Sequence, residues 1–245
     1  MTATFSKRDI RRSPLALDEG EQESPGILLD GVSWELYEQL LDVVGDRSIR
    51  LTFDDGELEI MSPLREHEKC KKVIGGMIEV LSLELNIPIE PVGSTTFRRK
   101  LLAKGLEPDE SYYIQHEPEV RGSGEIDLKR DPPPDLAVEI DITHRAIDRE
   151  RIYAALGIPE LWRFDGEHLS AFRLTSGRPR VSRLSKAERQ KRKYVPISKS
   201  LCFPFLTVAD LEPFVKKAMA SGYTVAIRAF RNWIRHDLKP PKSNG

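Results

Sequence analysis

One short run, acidic on one side, constrains this chain more than any other feature. The run Pro134-Asp135-Leu136-Ala137-Val138-Glu139-Ile140-Asp141 is rich in apolar and β-branched residues, which is typical of a strand. Side chains of a strand alternate between its two faces, so one face carries only apolar residues and belongs in a core. The other face carries three carboxylates, those of Asp135, Glu139 and Asp141.

Carboxylates on one face of a strand need an explanation, because like charges repel unless one is protonated or a cation lies beside them. Clusters of oxygen ligands suit hard divalent ions such as Mg²⁺ or Mn²⁺. Glu139 lies between Val138 and Ile140, where a lone carboxylate is costly to bury. Asp135 has a simpler alternative role, as a cap at the start of the strand. A divalent-metal site is therefore the leading hypothesis.

Periodicity and turn residues elsewhere predict a mixed α/β fold with one central sheet. Helices are expected after Ser33 as N-cap, from the Ser62-Pro63 step, over residues 145–156 after Thr143 as a possible N-cap, and over residues 223–237. Strands are expected on both sides of the Asp55-Gly56 turn, near residues 89–99, 109–115 and 134–142, and over residues 160–164 and 169–174.

Charge is unevenly distributed along the 245 residues, although the formal net charge is only −1. Residues 1–150 contain 19 Lys and Arg against 32 Asp and Glu, a net of −13, and residues 151–245 contain 19 against 7, a net of +12. An acidic site region beside a basic C-terminal part favours an enzyme that binds a metal and a polyanion. The alternative is that the two parts pack against each other.

The chain shows no sign of a membrane or secreted protein. It has no apolar run long enough to span a bilayer, and residues 1–8 lack the apolar segment of a secretory signal. The two cysteines, Cys70 and Cys202, are far apart, and the five histidines show no zinc spacing. We therefore expect reduced thiols in a cytoplasmic protein.

Three segments are expected: a flexible N-terminal arm over residues 1–28, a domain over residues 29–215, and a basic C-terminal helix and tail over residues 216–245. In the last segment an apolar stripe predicts a helix that docks on the domain rather than on a membrane: Ala226, Phe230 and Trp233. A run rich in Lys and Arg over residues 178–193 favours a solvated loop or charged helix over a phosphate-binding segment.

Three motifs together resemble the Uma-type family of candidate endonucleases, a branch of the PD-(D/E)xK nuclease superfamily. They are Gly-Leu-Glu-Pro-Asp-Glu at 105–110, Pro-Asp-Leu-Ala-Val-Glu at 134–139 and Tyr-Ala-Ala-Leu-Gly-Ile-Pro-Glu-Leu-Trp at 153–162. The resemblance covers about residues 30–210. It implies an α/β, restriction-endonuclease-like fold with a central mixed sheet flanked by helices, and a divalent-metal site that hydrolyses phosphodiester bonds in DNA.

The same resemblance assigns residues to the metal and to its chemistry. It implies that Asp109 and Glu139 ligate Mg²⁺ or Mn²⁺. Asp141 stands where the superfamily usually carries its Lys, so the base would be Asp141 itself, a substrate phosphate oxygen or a metal-bound hydroxide. Arg149 lies where relatives often carry a Lys. Its guanidinium would stabilise developing negative charge but stays protonated and cannot act as a base.

Further positions match the family less specifically. His67 and Glu68 lie where such nucleases supply an additional polar or acidic group, and Asp135 matches the family's Pro-Asp step. Each residue also has a structural alternative: Asp109 in a turn after Pro108, His67 as a surface or cap residue, and Arg149 paired with acidic neighbours on its helix. Tyr153 is expected in the core.

Three functions remain open from the sequence. The first is a Mg²⁺-dependent endodeoxyribonuclease, possible as a homodimer because many relatives of this fold are dimers. The second is a nuclease-like fold that has lost catalysis and binds DNA or protein, which Asp141 favours. The third is a metal-independent hydrolase in which Glu139 pairs with Asp109 or Asp135. The first requires the oxygens of Asp109, Glu139 and Asp141 to converge around an ion-sized gap.

Overall fold

The computed structural model describes residues 26–45, 47–93, 95–142, 145–175 and 192–238. Its helices are α1 (Trp34–Val44), α2 (Arg65–Leu85), α3 (Glu117–Val120), α4 (Arg149–Leu156), α5 (Glu212–Ser221) and α6 (Tyr223–His236). Its strands are β1 (Ile27–Leu29), β2 (Arg50–Asp54), β3 (Glu57–Met61), β4 (Glu90–Pro91), β5 (Phe97–Arg99), β6 (Lys104–Leu106), β7 (Glu110–Tyr113), β8 (Leu136–Ile140), β9 (Glu160–Phe164), β10 (Leu169–Leu174) and β11 (Tyr194–Ile197). Most of the expected arm over 1–28, and all but the last residues of the basic run over 178–193, lie outside the described residues.

The strands form two sheets, and the mixed α/β class expected from the sequence is confirmed. The six-stranded sheet has the order β11-β10-β9-β8-β7-β4; β8 and β9 are parallel, and its other pairs are antiparallel. It is the expected central mixed sheet. A second, five-stranded sheet with the order β1-β3-β2-β6-β5 was not expected. The predicted strand over 89–99 divides between the two sheets, because strand pairing depends on partners distant in sequence.

Local signals located several element boundaries correctly. The Ser33 side chain caps α1 by accepting a hydrogen bond from the backbone N–H of Leu36 at 3.2 Å. Asp55 and Gly56 both have positive φ angles, 49° and 100°, as the predicted tight turn requires. Gly157 ends α4 in the left-handed conformation.

Two predicted helix starts are wrong. Helix α2 begins at Arg65 rather than at Ser62-Pro63, and the Ser62 hydroxyl donates instead to the backbone oxygen of Ser48 at 3.1 Å. Helix α4 begins at Arg149, because the Asp148 side chain caps it by accepting from the N–H of Glu150 at 3.0 Å. Thr143, the other candidate cap, is outside the described residues.

Strand β8 is buried on both faces. Its apolar face packs with α2 in the largest core cluster, and Leu136, Val138 and Ile140 are each 0% exposed. On the other face, Ala137 belongs to a second cluster with residues of α4, including Ile152 and Tyr153. The side expected to carry carboxylates is therefore covered by a helix rather than open to solvent.

The C-terminal helix docks on the domain, as its apolar stripe predicts. Ala226, Phe230 and Ile234 of α6 are buried in the same cluster as α2, and Trp233 stacks on Phe230 with ring centroids 5.7 Å apart. None of the helices in the described ranges is long and apolar enough to cross a membrane. Cys70 and Cys202 are both buried free thiols.

Candidate metal centre

The register of the central sheet brings Asp109 beside Glu139. Strands β7 and β8 are antiparallel, with Glu110 opposite Val138 and Ser111 opposite Ala137. Asp109 immediately precedes β7, and extending this register by one residue places it opposite Glu139. Both carboxylates are buried, with Asp109 1% and Glu139 4% exposed. Two acidic groups are thus held together in a place where an uncompensated charge is costly.

Asp109 is held by the sheet and by helix α2. Its Oδ2 accepts a hydrogen bond from the backbone N–H of Ile140 at 2.7 Å and lies 3.1 Å from Nε2 of His67. Burial alone would lower the pKa of His67, but its contacts with Asp109 and Glu68 raise that pKa to about 9. Burial alone would raise the pKa of Asp109, and the hydrogen bond and charge of His67 hold it below its usual range.

Glu139 is held on one oxygen and left open on the other. The Tyr153 hydroxyl donates to Oε1, and Nη2 of Arg149 lies 3.1 Å from the same oxygen. Oε2 is buried without a hydrogen-bond partner among the described residues, and its nearest cation is Nη2 of Arg145 at 3.2 Å. Burial raises the pKa of Glu139 to about 8, opposed by the charge of Arg149. A cation beside Oε2 would favour the ionised form.

Three oxygen atoms converge on one cationic atom, Nη2 of Arg145. This nitrogen donates to the backbone oxygen of Ile140 at 3.0 Å and lies 3.2 Å from Oε2 of Glu139 and 3.5 Å from Oδ2 of Asp109. Two carboxylates and a carbonyl are ligands that a hard divalent ion accepts, and the unpartnered Oε2 is available to one. These residues therefore fit a divalent metal.

The protein supplies only part of a coordination sphere at this point. The described residues contain no cluster of three or more His, Cys, Asp or Glu side chains able to hold a metal ion. Mg²⁺ in proteins commonly retains several waters and uses one or two carboxylates together with substrate phosphates. The donor set of Asp109, Glu139 and the Ile140 carbonyl is of that kind.

Asp141 lies at the edge of this group. Its Oδ2 accepts from Nη2 of Arg163 at 2.6 Å, and its Oδ1 lies 3.7 Å from Nε of Arg145. Its side chain is 27% exposed, whereas those of Asp109 and Glu139 are almost fully enclosed. The sequence predicts that oxygens of Asp109, Glu139 and Asp141 converge around one gap. The structure brings only Asp109 and Glu139 together there, with Arg145 between them, and Asp141 contacts the outer side of Arg145.

Asp135 lies at the opposite end of β8, in a different set of contacts. Its Oδ2 accepts from the backbone N–H groups of Ile114 and His116 at 2.7 and 2.9 Å, and its Oδ1 lies 2.5 Å from Nδ1 of His116. These bonds secure the chain that leaves β7. The simpler alternative considered for Asp135, a structural role, matches this geometry.

Arg149 lies behind Glu139 rather than free in solution. It is 6% exposed, and its Nη2 donates to the backbone oxygen of Glu107 as well as contacting Glu139. Its buried Nε and Nη1 have no hydrogen-bond partner in the described part of the chain. Burial alone would lower the pKa of Arg149, but the charge of Glu139 raises it. The geometry suits a cation that orients Glu139.

A cleft of about 530 Å³ opens beside these groups. Its walls include charged side chains of both signs, among them Glu139, Asp141, Arg145, Arg149 and Arg163. Pockets that bind small ligands commonly have volumes of about 300–1,000 Å³. The cleft is thus large enough for part of a nucleotide chain to approach the carboxylates.

Sequence reasoning missed the roles of three residues at this site, those of Tyr153, Arg145 and Arg163. Tyr153 lies in the core as expected, but its contact with Glu139 was missed, although it lies four residues after Arg149 and so shares its helix face. That spacing was a usable signal. Arg145 carried no signal of its own, because it lies in a loop after β8 and its direction depends on the fold. The loop is held by Glu59 of the second sheet, whose Oε1 accepts from the N–H of Ala146 at 2.6 Å.

Comparisons with known proteins identify the family of this chain. Residues 34–204 match the family model described as "Uma2: Putative restriction endonuclease", a range that contains every residue of the site. This match confirms the fold class expected from the sequence. A solved structure titled as a putative nuclease belonging to DUF820, from Anabaena variabilis, is 14% identical with a TM-score of 0.41, covering 71% of this chain and 90% of its own. No curated protein matches.

Proposed function

We propose that this chain, which belongs to the Uma2 family, is a divalent-metal-dependent endonuclease that hydrolyses phosphodiester bonds in DNA. The observation that carries the proposal is the convergence of Asp109 Oδ2, Glu139 Oε2 and the Ile140 carbonyl on one cation position. That position adjoins a cleft with arginine side chains in its walls. Two buried carboxylates, one with an oxygen that lacks a hydrogen-bond partner, are ligands of the kind that a divalent ion binds.

Each residue has a role that its contacts support. Asp109 and Glu139 would hold the ion with the Ile140 carbonyl, His67 orients Asp109, and Tyr153 and Arg149 orient Glu139. A bound divalent ion supplies a Lewis acid for the phosphate and lowers the pKa of a coordinated water.

The partly exposed Asp141 would take the proton of the attacking water on Oδ1, because its Oδ2 is engaged by Arg163. Arg163, whose side chain is 40% exposed, would place a positive charge beside the substrate phosphate. This assigns a base and an anion-stabilising group at the position where the superfamily's Lys is missing.

A plasmid-nicking assay with supercoiled DNA in Mg²⁺ or Mn²⁺ tests this function. Cleavage by the unaltered protein should stop with chelator and fall at least 100-fold in Asp109→Asn and Glu139→Gln. Glu167→Gln, at an exposed position in the turn before β10, is the matched control and should cleave normally. Urea unfolding shows whether each variant is folded. Cleavage that persists in chelator would contradict the proposal and favour a metal-independent hydrolase. Cleavage that persists in folded Glu139→Gln would contradict both functions, because each depends on the Glu139 carboxylate.

A second candidate is a nuclease-like binding module without catalysis. The observation that favours it is the ion pair of Asp141 with Arg163, which takes the place of the superfamily's Lys. This function predicts DNA binding in chelator, measured by fluorescence anisotropy, and no cleavage in Mg²⁺, Mn²⁺ or Co²⁺. Metal-dependent nicking that Glu139→Gln abolishes would exclude it.

A further inference from the structure

The cation position of the proposed metal site is taken up by a side chain of the protein itself. The Arg145 side chain is 8% exposed, and one of its nitrogen atoms contacts all three oxygens assigned to the metal. Nη2 also lies 3.5 Å from Nε2 of His67, the residue that holds Asp109. A positive group is therefore already enclosed where a divalent ion would sit.

The guanidinium and a metal ion cannot share this position. Carboxylate and carbonyl oxygens bind Mg²⁺ at about 2.0–2.1 Å, so an ion bound to the three oxygens would lie within the space that Nη2 fills. Two positive charges at such a separation also repel strongly in a buried place. Occupation by Arg145 and occupation by the ion are mutually exclusive.

Arg145 has a second acidic partner toward the cleft. Its Nε lies 3.7 Å from Oδ1 of Asp141, which is partly exposed at the edge of the site. The backbone beside Arg145 is fixed, because the N–H of Ala146 donates to the buried Glu59. Because Arg145 lines the cleft, rotation of its side chain alone would move the guanidinium away from Glu139 and into the cleft.

We propose that Arg145 is an internal counter-ion that competes with the divalent metal for one position. Without metal it adds a positive charge between Asp109 and Glu139, beside those of His67 and Arg149, and so stabilises the folded protein. A divalent ion binds by displacing the guanidinium from the three oxygens into the cleft. This inference rests on the proposed function, because it assigns the same three oxygens to the metal.

Mn²⁺ titration by calorimetry, together with urea unfolding in chelator, tests the competition. Arg145→Gln should bind Mn²⁺ at least tenfold more tightly than the unaltered protein and should be less stable without metal. The matched control is Arg151→Gln, which removes the same charge from an arginine of α4 that pairs with the buried Asp54 of the second sheet. Its Mn²⁺ affinity should change less than threefold.

The possible outcomes separate the two proposals. Equal or weaker Mn²⁺ binding by Arg145→Gln, with binding lost in Glu139→Gln, would overturn the competition and leave the metal site standing. No Mn²⁺ binding by any variant at millimolar concentration would overturn both. If Arg145→Gln does not fold, Arg145→Lys keeps a charge on a shorter side chain. It should bind Mn²⁺ more tightly than the unaltered protein, and unchanged affinity would overturn the competition.

Discussion

Tyr153 donates its hydroxyl hydrogen to Oε1 of Glu139, which joins helix α4 to the strand that carries the candidate metal centre. Both residues are buried, so the bond is shielded from water. Because Arg149 contacts the same oxygen, Oε2 is the atom left to face the cation position. The orientation of one proposed metal ligand thus depends on a residue that is not itself a proposed ligand.

Tyr153→Phe should weaken metal binding and destabilise the protein together. Removing the hydroxyl takes a donor from a buried carboxylate, which should lower the free energy of unfolding by about 1–3 kcal/mol. Loss of such an orienting contact should weaken Mn²⁺ binding about 10- to 100-fold. Urea unfolding and calorimetric titration measure the two effects.

The control for this variant is Tyr194→Phe. Tyr194 is also buried, but its hydroxyl donates to the backbone oxygen of Ile158 at 2.6 Å, away from the carboxylates. The Tyr194→Phe variant should lose about as much stability as Tyr153→Phe and should keep the Mn²⁺ affinity of the unaltered protein. Equal loss of affinity in both variants would mean that Tyr153 acts only through general stability.

Asp135→Asn should affect stability and leave the metal centre intact. The carboxylate accepts two backbone hydrogen bonds and contacts His116, so replacing it should lower the free energy of unfolding by about 1.5–3 kcal/mol, the range for bonds to a charged group. Urea unfolding gives the stability, and Mn²⁺ titration should match that of the unaltered protein. A loss of affinity in the folded variant would place Asp135 in the metal site after all.

Phe230→Ala should show that helix α6 is an integral part of the fold. Phe230 is 0% exposed and packs against Phe214 and Trp233, with ring centroids 5.1 and 5.7 Å away. The cavity should cost about 3–5 kcal/mol of unfolding free energy, measured in urea. Val225→Ala, 47% exposed on the same helix, should cost far less. If Phe230→Ala lowered the free energy of unfolding as little as Val225→Ala, α6 would be only loosely packed on the domain.

The ion pairs of Glu84 should stabilise α6 only above acidic pH. Hydrogen bonds from Arg235 and Arg231 lower the pKa of Glu84 below its ordinary value of 4.5. A group whose pKa is lowered by folding contributes stability above its unfolded pKa and loses it as the pH falls through the folded value. Glu84→Gln should therefore melt below the unaltered protein at pH 7, and the difference should shrink as the pH falls below 4.5.

Salt and a second variant check this interpretation. Glu79→Gln changes an exposed glutamate of α2, the helix that also carries Glu84, and should leave the melting temperature at pH 7 nearly unchanged. The Glu84 effect should also diminish in 1 M NaCl, because exposed ion pairs are screened. A difference between Glu84→Gln and the unaltered protein that is constant from pH 7 to pH 3.5 would exclude the ion pairs as its cause.

Sequence patterns that act within a few residues predicted much of this fold. They did not predict which distant strands pair with each other. The alternation along 134–141 predicted β8 and its buried apolar face, and Ser33 and Gly157 marked helix ends, because each signal acts within a few residues. The second sheet was missed because β2 pairs with β6, about 50 residues further along the chain, and β6 in turn pairs with β5. A strand's own residues do not specify such a partner.

The amino-acid sequence by itself determined that acidic groups would lie on a buried strand and that Glu139 would need a compensating cation. Only the tertiary structure decided which cation that is and which acids share it. The β7–β8 register placed Asp109 beside Glu139, Asp135 was bound at the far end, and the loop held by Glu59 placed Arg145 among the oxygens. The physical reason is that the burial of a residue and the charges around it depend on its neighbours, which the folded chain brings together from segments distant in sequence.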